Sequence, residues 1–198
     1  MSEALPLFPL RAVLLPGGRV PLQIFEPRYL DLVSRCMKQD SGFGIVRITT
    51  GHEIVLAQGA TPPQTAPTGT LARIVDWDAL PQGRLRITIE GSRRLRVVST
   101  RIAADHLMQG EVEWIEDAPT APLGDQYSHL LEIMNGLCEH PALRRLGVLA
   151  RDHDSLSLAY AMAQYLPIDE DERYAVLTEN DPLIALERID RIVQELAS

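Results

Sequence analysis

The chain has 198 residues, 45% of them hydrophobic and 23% charged, and its net charge is −8 at pH 7. This length suits one domain, or a domain with an appendage, around a sizeable core. An acidic protein is a poor non-specific binder of nucleic acid, which leaves only a local basic face as a route to RNA or DNA. No window approaches the roughly 18 consecutive apolar residues of a membrane helix, so we expect a soluble globular protein without a membrane partner.

Short apolar runs interrupted by prolines fill the beginning of the chain. Three of them lie on either side of a Pro-Gly-Gly turn: Leu5–Leu10, Val13–Leu15 and Val20–Phe25. Because each proline lacks a backbone donor, these runs predict short strands at a sheet edge rather than long central strands. Pro27 then occupies the first turn of a predicted amphipathic helix that ends near Gln39.

Alternating or apolar segments after this helix predict further strands. They are Phe43–Thr49, Ile54–Ala57, Gly69–Trp77, Leu85–Glu90, Arg93–Ile102 and Met108–Ile115. Gly91-Ser92 predicts the turn of a hairpin between the fourth and fifth of these. Gln58–Thr68, with three prolines and no apolar period, predicts an exposed, mobile loop. Counted from Leu5, about eight short strands predict a closed or pseudo-closed barrel.

A proline-rich stretch over Asp117–Gly124 predicts the boundary between a β-barrel subdomain, residues 1–117, and an α-helical subdomain, residues 118–198. Helices are predicted over Asp125–His140 and Ser155–Leu166, between Asp169 and Leu177, and from Pro182 onward. The two parts differ in charge, since the first contains 13 acidic and 13 basic residues and the second 14 and 6. We expect the acidic residues on the outside of a small helical bundle.

The opening segments LPLFPL, VLLPGG and VPLQIFEPRY, with the helix that follows them, resemble the start of the Lon substrate-binding domain. This is the N-terminal domain of the ATP-dependent protease Lon, and it also occurs as a stand-alone protein. FGIVRI (43–48), GTLARI (69–74) and LPQGRLRITIEGSRRLRV (80–97) continue the resemblance in the same order over nearly the whole chain. It implies an α+β fold, in which a PUA-like, mostly antiparallel pseudo-barrel of short strands with one inserted helix precedes a C-terminal helical bundle.

The resemblance implies a binding role rather than a reaction. The ATPase and protease domains of full-length Lon have no counterpart in this sequence, which contains no G-x-x-x-x-G-K-[ST] motif and a single lysine, Lys38. Cys138 and His140 lie two residues apart on a predicted helix, so their side chains point roughly 200° apart. The five histidines show no spacing typical of metal ligands. We therefore expect a non-enzymatic module with no catalytic residue, cofactor or metal.

The expected location is cytoplasmic. The first residues, MSEALPLF, lack the basic segment of a secretory signal, and the two cysteines, Cys36 and Cys138, are predicted to be reduced, buried thiols. The resemblance implies unfolded or specific protein segments as partners, which the protein would deliver to a protease or chaperone.

The strand-to-helix junction contains the candidates for peptide binding: Phe8, Phe25, Glu26, Arg28 and Tyr29. Glu26 and Arg28 flank a proline, where they would either form an anchoring network or contact a ligand directly. The three aromatic residues would belong either to the core or to the rim of a groove. An extended peptide would add to an open barrel edge or lie in the cleft between barrel and bundle.

Arginines are concentrated in the predicted hairpin, and four of them form a candidate face for anions or RNA: Arg84, Arg86, Arg94 and Arg96. The alternative is a solvated outer face on which arginines pair with Glu90, Glu111 and Glu113 across strands. Because the Lon domain's barrel resembles the PUA fold of RNA-binding proteins, RNA binding is the second functional hypothesis. No aromatic residue alternates with these arginines as a base-stacking platform, which argues against RNA.

Overall fold

The computed structural model describes residues 2–51, 63–119, 122–150 and 153–197. Within these ranges there are six strands: β1 (Glu3–Leu10), β2 (Arg19–Ile24), β3 (Phe43–Thr50), β4 (Gln64–Leu80), β5 (Arg84–Ile102) and β6 (Met108–Trp114). Helix α1 (Pro27–Gln39) lies between β2 and β3. The helices after β6 are α2 (Ser128–Cys138), α3 (Pro141–Arg145), α4 (Ser155–Tyr165), α5 (Glu170–Thr178) and α6 (Pro182–Leu196). No helix in the described ranges is long and apolar enough to cross a membrane.

The strands form one sheet in the order β2-β5-β4-β3-β1-β6, and β6 also pairs with β5. Five strands therefore close into a barrel, and β2 is attached outside the ring. Every pair is antiparallel except β1 with β3. On one side of β5, residues 85–90 pair with β2 and residues 95–102 pair with β6. The predicted α+β pseudo-barrel with one inserted helix is confirmed, although the described residues form six strands and not about eight.

The predicted hairpin turn at Gly91-Ser92 is wrong, because β5 continues through it. The ladder between β4 and β5 contains a bulge at this point. Gly91 faces Ala72, but Arg94, three residues later, faces Thr70, which is only two residues away on β4. The additional residue in β5 shifts the alternation of its side chains. Gly91 serves close approach and not a turn, since a Cβ atom there would collide with the carbonyl oxygen of Leu15.

The loop predicted over Gln58–Thr68 is partly wrong, because Gln64–Thr68 belong to β4. Pairing between β3 and β4 is irregular here, with register shifts on both sides of Ile48. Prolines are tolerated where a ladder is already interrupted, which explains why a proline-rich segment forms a strand. Residues 52–62, and with them the predicted strand Ile54–Ala57, lie outside the described residues.

Two apolar clusters fill the barrel and the space beneath α1. The first combines strand residues with the buried side of α1: Phe8, Ile24, Phe43, Ile87 and Ile89 with Tyr29, Leu32 and Val33. The second consists of Leu5, Leu7, Val46, Leu95, Met108 and Val112. α1 begins at Pro27, whose ring is preset for a first helical turn, and ends where Asp40 adopts a left-handed φ of 49°.

α4 forms the centre of the helical region, since eight of its eleven residues are buried. It packs against α2, α5 and α6. Asp154 starts α4 with a capping box, in which its carboxylate accepts the N–H of Ser157 and Ser157 Oγ accepts the N–H of Asp154. Asp169 and Asp181 cap α5 and α6 in the same position, so local sequence sets the start of all three helices.

Residues 11–18, here called the connecting segment, join β1 to β2 and lie between the two regions. Val13 and Leu15 belong to the apolar core of the helices, whereas Leu14 belongs to the barrel core. The N–H of Val13 donates to Glu170 Oε2 over 2.6 Å, and the N–H of Leu15 donates to Gln164 Oε1 over 2.9 Å. Helix side chains thus satisfy this backbone as a neighbouring strand would.

Candidate functional site

A pocket with a volume of about 230 Å³ lies between β1, β2 and the start of α1. It is lined by Phe8, Pro9, Leu10, Pro21, Leu22, Gln23, Ile24, Phe25, Glu26 and Tyr29. These residues are consecutive in both strands, whereas alternate residues would line a pocket on the face of a sheet. The pocket therefore follows the edges of β1 and β2, and we name it the edge pocket.

Four of the five residues that the sequence singles out for peptide binding line the edge pocket. Phe8 and Tyr29 are buried and stack with their ring centroids 4.0 Å apart. Phe25 differs from them, because 49% of its surface is exposed. Together with Glu26 they place one exposed aromatic ring beside a fixed aromatic pair, an arrangement suited to contact with an apolar ligand.

Arg28, the fifth of these residues, does not line the pocket but anchors its wall. Its Nη2 atom lies 2.8 Å from Glu26 Oε2, and its Nη1 atom donates to the carbonyl of His106 over 3.1 Å. The guanidinium carbon is 4.5 Å from the centroid of the Tyr29 ring. Arg28 therefore ties the start of α1 to the turn between β5 and β6, and its charge compensates the Glu26 carboxylate.

One hydrogen bond shows which residues of β2 direct their backbone N–H and carbonyl groups away from β5. The N–H of Gly91 donates to the carbonyl of Gly18 over 2.9 Å, which makes these two residues a hydrogen-bonded pair. Bonded and non-bonded pairs alternate along an antiparallel ladder. Because the register continues through β2, Arg19, Pro21 and Gln23 direct their backbone groups away from β5.

These outward groups differ in what they contact. The N–H of Arg19 donates to Tyr165 Oη over 2.9 Å, so the helical region closes that end of the strand edge. At the other end, no described residue accepts the N–H of Gln23, and Pro21 has no N–H to donate. The open end of the edge is the one that lines the pocket.

The four arginines predicted as an anion face do not share one side of β5, and this prediction is wrong. Partners across a ladder lie on the same side, and Arg94 and Gly91 face β4 residues that are two positions apart. The two residues therefore point to one side, although an unbroken strand would direct positions 91 and 94 to opposite sides. Arg84 and Arg86, before the bulge, point to the other side.

Arg94 is a structural residue, with 1% of its surface exposed. Its Nε donates to Asp117 Oδ1 over 2.7 Å, and its Nη1 donates to the carbonyls of Leu177 and Glu179 over 3.0 and 2.9 Å. The positive charge thus meets the carbonyl end of α5, where the helix dipole favours a cation. Arg94 links the barrel to the helical region and is not accessible to a ligand.

The other three arginines give no support to an RNA site. Arg84 donates to the carbonyl of Pro81, and neither Arg86 nor Arg96 forms an ion pair with a described residue. Glu90, predicted as a partner within the hairpin, pairs with Arg19 of β2. No observation in this region favours RNA over a solvated surface.

The described residues contain no group of three metal-ligating side chains. Cys36 and Cys138 are buried, reduced cysteines. Burial raises the pKa of Cys36, which makes its reactive thiolate form scarce at neutral pH.

The closed barrel, the helix against it, the helical region and the open strand edge define an α+β barrel domain. The profile of the family described as "ATP-dependent protease La (LON) substrate-binding domain" matches residues 4–195. The chain therefore belongs to the Lon substrate-binding domain family, which confirms the resemblance seen in its opening segments.

Solved structures show the same relationship. A Lon N-terminal domain protein from Xanthomonas campestris is 32% identical with a TM-score of 0.69, and the match covers 97% of this chain and 98% of that one. The N-terminal domain of a Lon protease from the Mycobacterium avium complex shares the fold, with 14% identity, a TM-score of 0.58 and coverage of 94% and 96%.

Two Lon proteases are similar in sequence. Lon protease 2 of Myxococcus xanthus is 28% identical over 189 residues, and the Lon protease of Cytophaga hutchinsonii is 28% identical over 116 residues. The matches cover 91% and 58% of this chain. The chain spans only 22% and 14% of the length of those proteins.

Two features of the site are not evident from simple periodicity. One is that the backbone groups of Gln23 point away from β5. Pro21 is the residue that could have indicated this, because proline fits a strand position where no donor is needed, and Gln23 lies two residues further along the same strand. The other is the contribution of Pro9 and Leu10 to the pocket. It has no local signal, since it depends on where β6 stops pairing with β1.

Proposed function

We propose that this protein is a binding module without enzymatic activity, which captures unfolded or specific protein segments in the edge pocket. The observation that carries the proposal is the half-exposed ring of Phe25 beside the buried pair Phe8 and Tyr29 at an open strand edge. Membership of a family named for substrate binding supports the same function.

The energetics favour an apolar ligand. An aromatic side chain buries 150–250 Å², so covering the exposed half of Phe25 contributes roughly 2–3 kcal/mol at about 25 cal/mol per Å². The Glu26 carboxylate is already paired with Arg28, so a charged ligand group would gain little there. Unfolded chains expose apolar side chains that folded proteins bury, and the pocket would select them on this basis.

The proposal extends to organisation and partners. We propose two subdomains, residues 1–117 and 118–198, which is supported by apolar clusters that, apart from Val13 and Leu15 of the connecting segment, do not mix residues of the two ranges. Similarity to Lon proteases supports delivery of the bound segment to a protease or chaperone in the cytoplasm.

The pocket is tested by fluorescence anisotropy with a labelled, permanently unfolded protein and with peptides derived from it. Phe25→Ala is expected to weaken binding at least tenfold without changing thermal unfolding. Val98→Ala is the matched control, because Val98 is 58% exposed but lies outside the pocket, and it should bind like the wild type. Equal effects of the two variants would contradict the site, and no binding at micromolar concentration would contradict the function.

The class of partner is tested by capture from a cell lysate, with and without nuclease. Misfolded proteins or a protease should remain bound after nuclease treatment. Capture that disappears with nuclease would contradict the proposal and favour RNA.

A further inference from the structure

The edge pocket lies beside strand edges that pair with no described strand. β6 lies between β1 and β5, where it pairs with Glu3–Leu7 of β1 and with the second half of β5. Beyond Leu7, no described strand pairs with β1 on this side. β2 occupies the first half of β5, and its outer edge faces the pocket together with Phe8–Leu10. Among the described strands, neither this edge of β1 beyond Leu7 nor the outer edge of β2 has a partner, and the pocket lies between these two edges.

The groups at this gap are those of an unpaired strand edge. Gln23 offers an N–H and a carbonyl, and Pro21 offers a carbonyl, all directed away from β5. An approaching helix has no free backbone groups to bond with them, whereas an extended chain presents donors and acceptors at alternate residues. The volume of about 230 Å³ is below the roughly 300–1,000 Å³ typical of small-molecule sites.

Resting on the proposed function, we propose that the bound segment adds to the outer edge of β2 as an extended strand. Alternate backbone amides would bond with Gln23 and Pro21, and alternate apolar side chains would enter the pocket beside Phe8 and Tyr29. The ligand class is an extended segment with bulky apolar residues at every second position and no proline at the paired positions. Such segments are the unpaired strands of unfolded proteins.

The protein side of this pairing is tested by comparing Gln23→Pro with Gln23→Ala. Both variants lose the side chain, but only proline loses the outward N–H, and the bonds to β5 are unaffected because Pro21 already occupies an equivalent position. Gln23→Pro is expected to bind a labelled apolar peptide about tenfold more weakly than Gln23→Ala. Thermal unfolding of both variants verifies the fold.

The ligand side is tested with the wild-type protein, so that it does not depend on the proline variant folding. Each amide of the bound peptide is N-methylated in turn. Strand addition predicts a loss of at least tenfold at every second position and little change between them. Uniform tolerance of methylation, with equal binding by the two Gln23 variants, would overturn strand addition.

The outcomes separate the two proposals. If the peptide binds and depends on Phe25 but shows no period of two, strand addition is wrong and the proposed function remains. If no unfolded protein or peptide binds, the proposed function fails and the inference fails with it.

Discussion

The stretch from Val13 to Phe25 contains a closed part and an open part. In the closed part, Val13–Arg19, backbone N–H groups donate to side chains of α4 and α5. In the open part, Pro21–Phe25, the outward N–H of Gln23 has no described acceptor. Along this one stretch, the backbone is thus buried against the helices in the closed part and accessible in the open part. We expect substitutions in and around the closed part to change stability, and those in the open part to change binding.

The largest expected effect is at the link between barrel and helices. Arg94→Met leaves the Asp117 carboxylate and two carbonyls of the α5 end without their donor. Breaking a buried ion pair costs about 3–5 kcal/mol, and we expect a loss of about 3 kcal/mol because Asp117 is partly exposed. Urea denaturation measures this loss. Arg93→Met, at an exposed neighbour, should cost less than about 1 kcal/mol, and equal losses would contradict the role of Arg94.

The closed part itself is tested at Gln164. Gln164→Leu removes the acceptor for the N–H of Leu15, a residue with no exposed surface. An unsatisfied buried donor costs about 1–3 kcal/mol, which should appear as a lower midpoint in urea without a change in slope. The control is Gln39→Leu at the exposed end of α1, which should change the free energy of unfolding by less than about 0.5 kcal/mol. A Gln164→Leu variant as stable as this control would show that helix side chains are not needed as acceptors for the backbone N–H groups of the closed part.

Two neighbouring tyrosines should respond in opposite directions. Tyr165 Oη accepts the N–H of Arg19, so Tyr165→Phe should cost about 1 kcal/mol. Tyr160 is 3% exposed, and its hydroxyl bonds no described residue. Burial also raises the pKa of Tyr160, so this hydroxyl is neutral. Tyr160→Phe should therefore leave stability unchanged or raise it by up to about 1 kcal/mol. Thermal unfolding of both variants measures these changes, and a loss of stability in Tyr160→Phe would contradict the view that the Tyr160 hydroxyl lacks a hydrogen-bond partner among the described residues.

The smallest effect is expected beside the open part, at the turn that holds Arg28. The N–H of Leu107 and the guanidinium of Arg35 lower the pKa of Asp105. Since the folded pKa lies below the unfolded one, Asp105 stabilises the fold above about pH 4, and this contribution is lost as the pH falls through the folded pKa. At pH 7, Asp105→Asn should thus unfold at a slightly lower temperature than the wild type, and the unfolding temperatures of the two proteins should become equal in acid. The matched control is Asp31→Asn on the exposed side of α1, and a difference that persists below pH 3 would contradict this origin.

Much of the fold is predictable because its signals are local. Pro27 marks the start of α1, and Asp169 and Asp181 mark the starts of α5 and α6 through backbone groups within a few residues. The aromatic residues of the edge pocket are also predictable as a group. They lie on either side of one strand-to-helix junction, and their order matches the resemblance of the opening segments.

The errors arise where distant segments decide the structure. The bulge after Gly91 lies where the connecting segment passes close to β5, and no local signal distinguishes this glycine from a turn glycine. The same bulge turns Arg94 toward carbonyls more than 80 residues away in the chain. Period-two counting treats Arg94 as a surface residue for this reason. The closed part is equally hard to predict from local sequence, since the acceptors of its backbone N–H groups lie on α4 and α5.

The bond between Val13 and Glu170 spans 157 residues, and this separation has a consequence for synthesis. At about 5–20 residues per second, a ribosome needs roughly 8–30 s to proceed from one partner to the other. During that interval Val13 and Leu15 have no helical core to enter, and their amides have no acceptor from α4 or α5. The nascent chain therefore exposes an apolar, unpaired segment of its own until α5 has emerged. A protein that we propose to bind such segments passes through the same condition each time it is made.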